Sequence, residues 1–425
     1  MNSSIINKVK PKEPDAKRTS VAWNFFWTGF LIYTISFSVP GVYFSLKYVQ
    51  PLQLVGIALF IPSGFYLIRW SFESIYLKVL FLIYIFWSIV TVIRGLSGDY
   101  EFLKTMLFDA PFSIFIYLAP LVLLFKGFYS NLRKLFIVIV ILNVVYLIYT
   151  ILFYKIVIFG VSGYFRLPSW ITEIFSHFLS FPAAFLLLTY MYHKKWKVIY
   201  ALLILAATFL IVTIRARRGL MFMSVSFMLA SYLLFYFTNK GKILKIILSI
   251  GVLVFVVFYS FVTYSKNQYG TFGLITSRID EDTRKGVENY FYAGMSTTEL
   301  VIGRGANGLY YCPGIEEQQD NVTVLRSVIE TGYLQIVLKS GFIGLGLYLL
   351  ITIPAIFTGL FYSRNALSKA SAIWILLYTI FLYPTYVNMF SLTYLIIWFS
   401  VRICYDKTFR LKSNEEINSL FLPIK

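Results

Sequence analysis

From residue 21 almost to the C-terminus, long apolar runs alternate with short polar turns. About twelve runs can be marked: 21–46, 51–68, 76–93, 110–125, 135–159, 178–192, 198–214, 220–237, 243–262, 343–361, 372–387 and 392–403. They outrun a membrane strand of roughly 9–11 residues and lack its alternation of apolar and polar positions, so they predict helices. The expected fold class is an all-α polytopic membrane protein with about twelve transmembrane helices. One long polar stretch breaks the rhythm, so a large external loop is expected before the last three spans. The organisation read from the pattern is a basic cytoplasmic tail at 1–20, helices 1–9 over 21–262 and the loop over 263–342. Helices 10–12 follow over 343–403, then a cytoplasmic tail at 404–425.

Composition agrees with this pattern. Charged residues make up 13% of the chain and hydrophobic ones 59%. That is about half the charged fraction of a soluble domain, so lipid must solvate most of the surface. Basic residues number 38 against 19 acidic ones, a net charge of +19. Such an excess serves either attraction to anionic lipid or an acidic substrate. Nucleic acid is not indicated, because no soluble basic domain is present. Cys312 and Cys404 make no ligand or redox pattern and fall on opposite predicted faces, so no disulfide is expected. The first residues, MNSSIINKVKPKEPDAKRTS, read as a retained basic tail without a cleavable leader.

Lysine and arginine in the turns orient the spans. With the N-terminal tail inside, alternate turns hold Arg69; Lys126, Arg133 and Lys134; Lys194, Lys195 and Lys197; and Lys240, Lys242 and Lys245. Arg364 and Lys369, then Lys407, Arg410 and Lys412, continue the same face. Both termini are therefore expected in the cytoplasm. The opposite face carries mostly arginine: Arg94, Arg166, Arg215, Arg217, Arg218, Arg278, Arg284, Arg304 and Arg326. Diffuse lipid attraction is served by lysine, whereas arginine can grip carboxylate or phosphate with two parallel bonds. Three of these arginines crowd one turn, TIRARRGLMF, on the side where the positive-inside rule disfavours them. Snorkelling to head groups would explain one such residue; three together predict a partner.

Two motifs lie in the late loop and its exit. VIGRGANG matches GxGxxG, but roughly 65 external residues cannot build a dinucleotide-binding fold with its several βαβ units. Its glycines predict a tight turn that lets backbone approach a ligand, or a purely structural turn. Then comes VIETGYLQIVLKSGFIGLGLYLL. There Glu330 opens a helix, a short segment runs to Lys339, and a turn at Gly341 leads into the next span. A short re-entrant helix is expected, because such a break suits a segment that lines protein or a water-filled cavity. Glu330 is either a base or a carboxylate complementing the helix dipole. His177 and His193 stand alone, so neither metal-ligand spacing nor Ser-His-Asp chemistry is supported, and no metal or other cofactor is expected.

These residues resemble the O-antigen ligase and polymerase superfamily, membrane glycosyltransferases acting on lipid-linked sugars. RARRGLMFMSVSFMLASYLL is similar to the family's Ser-Arg-Gly turn, with Arg218 and Gly219 in the matching places. The loop with Arg278 and GRGANGLYY resembles the family's large external loop. In ETGYLQIVLKSGFIG, Tyr333, Leu334, Gly341 and Gly344 match the exit segment, whereas Glu330 and Thr331 stand where the family has His-Asn. The resemblance covers mainly 211–350, and the missing histidine favours a polymerase over a ligase.

What the resemblance implies is a metal-independent polymerase of O-antigen or capsule-type repeat units in a bacterial inner (plasma) membrane. It would transfer glycan from undecaprenyl pyrophosphate to an acceptor hydroxyl at the outer face. The expected catalytic residues are Glu330, Arg218 and Arg215, and the substrate-binding ones Arg217, Arg278, Arg166, Arg304 and Tyr333. Asp280, Glu281 and Glu288 are rival bases, and Tyr290, Tyr310 and Tyr311 are candidate sugar-stacking rings. Expected partners are the undecaprenyl-pyrophosphate-linked glycan and membrane lipid, with a chain-length regulator and a flippase as further candidates. The alternatives are a ligase of the same superfamily, a polysaccharide flippase or other secondary transporter, which would show repeat symmetry and mid-membrane charges, and a non-enzymatic membrane scaffold or sensor.

Overall fold

The structure is a computed structural model that describes residues 13–38, 46–159, 161–162, 165–166, 170–215, 217–238, 283–313, 324–386 and 388–421. The expected run 243–262, Arg278, Asp280 and Glu281 lie outside these residues. The described chain is almost entirely helical. It begins with α1 (Glu13–Ser38), α2 (Leu46–Leu67), α3 (Ile75–Gly95), α4 (Tyr100–Phe108), α5 (Phe115–Leu118), α6 (Phe128–Leu152) and α7 (Tyr154–Phe159). A short hairpin of β1 (Val161–Ser162) and β2 (Phe165–Arg166) leads to α8 (Trp170–Phe175), α9 (Ala183–Leu188), α10 (Lys195–Ile214) and α11 (Arg218–Thr238). After the undescribed stretch come α12 (Thr283–Gly294), α13 (Thr297–Ile302) and the paired strands β3 (Tyr310–Tyr311) and β4 (Leu325–Arg326). The chain closes with α14 (Gly332–Phe361), α15 (Ala366–Phe381), α16 (Leu392–Tyr405), α17 (Lys407–Arg410) and α18 (Asn414–Ser419).

Six of the described helices are long and apolar enough to cross a membrane: Tyr48–Leu67, Ile75–Gly95, Phe128–Leu152, Lys195–Ile214, Arg218–Thr238 and Gly332–Phe361. α3 shows why lipid is the solvent. Its mean hydropathy is 2.2, yet only 22% of it is buried within the protein. In water that surface would aggregate, whereas in a bilayer it lies against acyl chains with its backbone bonds satisfied internally.

Four expected spans are shorter helices: Phe115–Leu124, Thr172–Leu188, Ala366–Phe381 and Leu392–Tyr405. In the first two the shortening has a covalent cause. Pro120 turns α5 into a 3-10 stretch, Ala119–Leu124, and Pro182 separates a π-helical turn, Ser176–Ser180, from α9. Proline lacks the donor that a continuous helix needs and clashes with the preceding turn. The expected run 21–46 overlaps α1, which starts earlier and ends at Ser38.

Close backbone approach fixes the first helix pair. α1 and α2 run antiparallel and meet at two glycines. A Cβ on Gly29 would sit 2.6 Å from the Gly56 carbonyl oxygen, and one on Gly56 2.8 Å from that of Gly29. Small residues at such crossings let dispersion contacts form along the whole interface.

Hydrogen bonds sort the turns into two groups at opposite ends of the helices. At one end Trp23 Nε1 donates to Lys126 O (3.0 Å), Lys134 Nζ to Ser20 O (2.8 Å) and Arg69 N to Leu124 O (2.9 Å). The same end holds Tyr192 against Asn414 (2.8 Å) and Asn365 against Phe409 O (2.9 Å). At the other end Arg94 donates to Ile302 O and Gly303 O, both at 2.7 Å, and Thr331 to Glu288 (2.6 Å). The first group matches the lysine-rich turns and the second the arginine-rich ones. At the arginine-rich end a second, smaller core forms from Val287, Phe291, Met295, Tyr310, Cys312, Ile329, Leu334, Val337 and Leu338. The first turns of α14 therefore pack with the late loop as well as with the main bundle, against which Tyr333 and Ile336 lie. Cys312 and Cys404 are both free and buried.

Candidate functional site

The arginine turn lies between α10 and α11. Arg215 follows α10, and its Nε donates to Thr172 Oγ1 and its Nη1 to Phe159 O, both at 3.2 Å. Arg217 reaches Glu173 with Nη1 at 4.0 Å from Oε2, and both side chains are about three-quarters buried. Arg218 is the first residue of α11 and is exposed. A cation there opposes the helix dipole, whose positive end it shares. An anion in front of the turn would meet both the guanidinium groups and the first free N–H groups of α11.

The turn Leu382–Thr385 holds the rest of the site in place. A Cβ on Gly219 would lie 2.9 Å from Pro384 O, and a Cβ on Gly332 would lie 2.8 Å from Thr385 O. Both glycines allow one short segment to be clamped between the start of α11 and the start of α14. Glu173 ties the clamp to the arginines, because it also accepts from Thr385 Oγ1 at 3.1 Å. Neither Glu173 nor Thr385 stands in a recognisable motif. An acidic residue in the apolar stretch after β2 was the available signal, since a charge there predicts a cationic partner.

Next to the clamp, Thr331 caps α14 but spends its hydroxyl on Glu288 Oε1 at 2.6 Å rather than on the helix. Glu330 precedes it and is exposed. It lies near Tyr310, whose phenol is raised by burial, with the Glu330 carboxylate adding to the rise and Arg326 opposing it. Two carboxylates, Glu288 and Glu330, thus flank the start of α14. The Tyr333 ring lies parallel to that of Tyr383, with centroids 6.5 Å apart. Tyr290 and Tyr311 are exposed neighbours at 6.4 Å, edge to face. Arg166 belongs to β2.

The glycine motif has a different role from ligand approach. α14 is broken at Gly341, where φ is 69° and ψ −179°. The break expected at that residue is therefore present. It leaves the last carbonyls of the preceding turns without helical donors, and the loop 303–308 and Trp87 of α3 supply them. Arg304 N donates to Leu338 O (2.8 Å), Gly305 N to Lys339 O (2.9 Å) and Trp87 Nε1 to Ser340 O (2.8 Å). Gly303 and Gly305 have φ of 74° and 85°, and their missing Cβ atoms leave room for Lys339 O and Gly95 N. The motif brings backbone to backbone, as a cap for a broken helix. Arg304 is part of this brace: it bonds Glu299 (2.8 Å), Leu309 O (2.6 Å) and Gly294 O (2.5 Å). The same guanidinium, with the Ser296 backbone N–H next in effect, holds the Glu299 carboxyl down at about 2.

Compared with protein-family models, curated proteins and solved structures, the chain matches none.

Proposed function

We propose that this membrane protein polymerises lipid-linked polysaccharide repeat units of the O-antigen or capsule type at the outer face of a bacterial plasma membrane. The observation that carries the reading is the clamp at Leu382–Thr385, which joins the arginine turn to the carboxylate-flanked start of α14. An anion site and a candidate base thereby share one wall. A glycan on undecaprenyl pyrophosphate brings its own leaving group, so the chain need only position two glycans and stabilise charge. In the proposed step an acceptor hydroxyl oxygen attacks the anomeric carbon and the bond from that carbon to the phosphate oxygen breaks. The electron pair leaves with the pyrophosphate, in front of Arg218 and Arg215. The hydroxyl proton passes to Glu330, with Glu288 as the neighbouring alternative. Tyr333 and Tyr383 offer ring faces to the sugars.

The test is polymerisation by the purified protein, given one lipid-linked repeat unit, with and without a chelator. Long chains should form in both cases, and Glu330→Gln should abolish them while leaving protein level and melting near wild type. Wild-type protein that makes no chains would sink the reading. Long chains from the Gln variant would move the base to Glu288 or remove the need for one.

A further inference from the structure

Below the break at Gly341 is a pocket that the proposed step does not use. Its walls come from α3, from residues 111–117, from residues 335–348 of α14 on both sides of the break, and from Tyr386, Asn388 and Tyr394. The space within it, open mouth included, is about 740 Å³. Seven of the lining residues are aromatic, Tyr84, Trp87 and Tyr386 among them, and no carboxylate is among the described lining residues.

One cation stands in this wall. Lys339 is 9% exposed, and among the described residues its Nζ has a single partner, Gly308 O at 2.8 Å. An ammonium carries three donors, and burying one is costly unless they are used and the charge is answered. Bracing one carbonyl would need only a neutral donor. Thr91, on the facing helix, is fully buried with its hydroxyl unpartnered. Asn388, half-buried on the same wall, also has no hydrogen-bond partner among the described residues. Three polar groups with unspent capacity thus surround an aromatic pocket that lacks an anion.

We propose that this pocket binds an acidic pyranose, with its carboxylate against Lys339 and its ring between the aromatic walls. The anionic character follows from Lys339 and the missing carboxylates. A bare inorganic anion would have no use for seven aromatic rings, and an acyl chain would leave the ammonium unanswered. That the ligand is a sugar rests on the proposed function, and it narrows the repeat unit to one containing a uronic acid.

The experiment is ligand-observed NMR on the full chain in lipid nanodiscs, with methyl glucuronide, methyl glucoside and inorganic phosphate as probes. The glucuronide should bind about tenfold more tightly than the glucoside, the scale of one charge-assisted contact. Lys339→Met should erase that preference. If this variant fails to accumulate, Asn388→Asp, which sets a carboxylate in the pocket, should erase it as well. Equal binding of the two glycosides, a preference kept in either variant, or phosphate competing as strongly as the glucuronide would overturn the inference. Binding needs no turnover. A chain that prefers the acid but makes no polymer therefore refutes only the polymerase reading. A chain that polymerises without preferring the acid refutes only this one.

Discussion

Replacing Gly341 by alanine should damage this protein more than any other single methyl addition in α14. At Gly341 the backbone has φ of 69° and ψ of −179°, a region that L residues rarely enter. A Cβ there would fall within contact distance of the Val301 carbonyl and 2.6 Å from Gly303 N. Backbone strain of this kind costs about 1–3 kcal/mol. Relieving the contact pushes the 303–308 loop outward and strains the bonds from Arg304 N and Gly305 N to Leu338 O and Lys339 O. Each such bond is worth about 0.5–1.5 kcal/mol, so the total loss is ~2–6 kcal/mol. Gly346 is the matched control. It lies in the same helix, and a Cβ there would meet nothing within 4 Å. Gly346→Ala should be neutral or stabilising by roughly 0.5–1 kcal/mol. Thermal unfolding in detergent, followed by intrinsic fluorescence, reads both variants. Gly341→Ala should melt roughly 2–7 °C below wild type while Gly346→Ala does not. If both melt alike, the loop is not the cap of the broken helix.

At the arginine turn, Arg218→Lys and Arg215→Lys should each lose most polymerising activity although the charge is kept, because lysine cannot offer the paired fork. The loss should approach the ~2.7–4 kcal/mol of a missing oxyanion donor, and near-normal polymer from both variants would return these arginines to the lipid surface. The Arg304–Glu299 brace should make the loop acid-sensitive. Because the Glu299 carboxyl is depressed from 4.5 to about 2, its contribution is full above pH 4.5 and is lost as pH falls through 2. Wild-type melting should therefore drop over that window more steeply than in Glu299→Gln, and parallel curves would remove the brace. Orientation is tested with Cys312 and Cys404 first replaced. A cysteine at exposed Asn307 should react with an impermeant reagent on intact cells, and one at exposed Lys407 only after permeabilisation. The reverse pattern would turn the arginines toward the cytoplasm and end the glycan-transfer reading.

Much of this fold is legible one residue at a time. Hydropathy and run length alone find the six long apolar helices, four of them within three residues at either end, because a backbone in lipid can bond only to itself and must stay helical over the apolar stretch. Lysine and arginine counts separate the turns into the two groups that the hydrogen bonds later gather at two ends. The break at Gly341 is also local, written in a glycine between a short amphipathic segment and an apolar one. Other features depend on partners distant in sequence. VIGRGANG looks like a ligand loop until Leu338 and Lys339 supply the carbonyls that its N–H groups cap. Arg304 looks like a free grip until Glu299 and two carbonyls occupy it. The Pro384–Thr385 segment carries no motif, and it matters only because Gly219 and Gly332 reach it from either side. Lys339 reads as one more loop cation, and its burial beside an unpartnered Thr91 arises only when α3 and α14 pack together. A side chain's donors and acceptors are known from its type, but whether they are already spent depends on groups hundreds of residues away. Tertiary packing alone decides that.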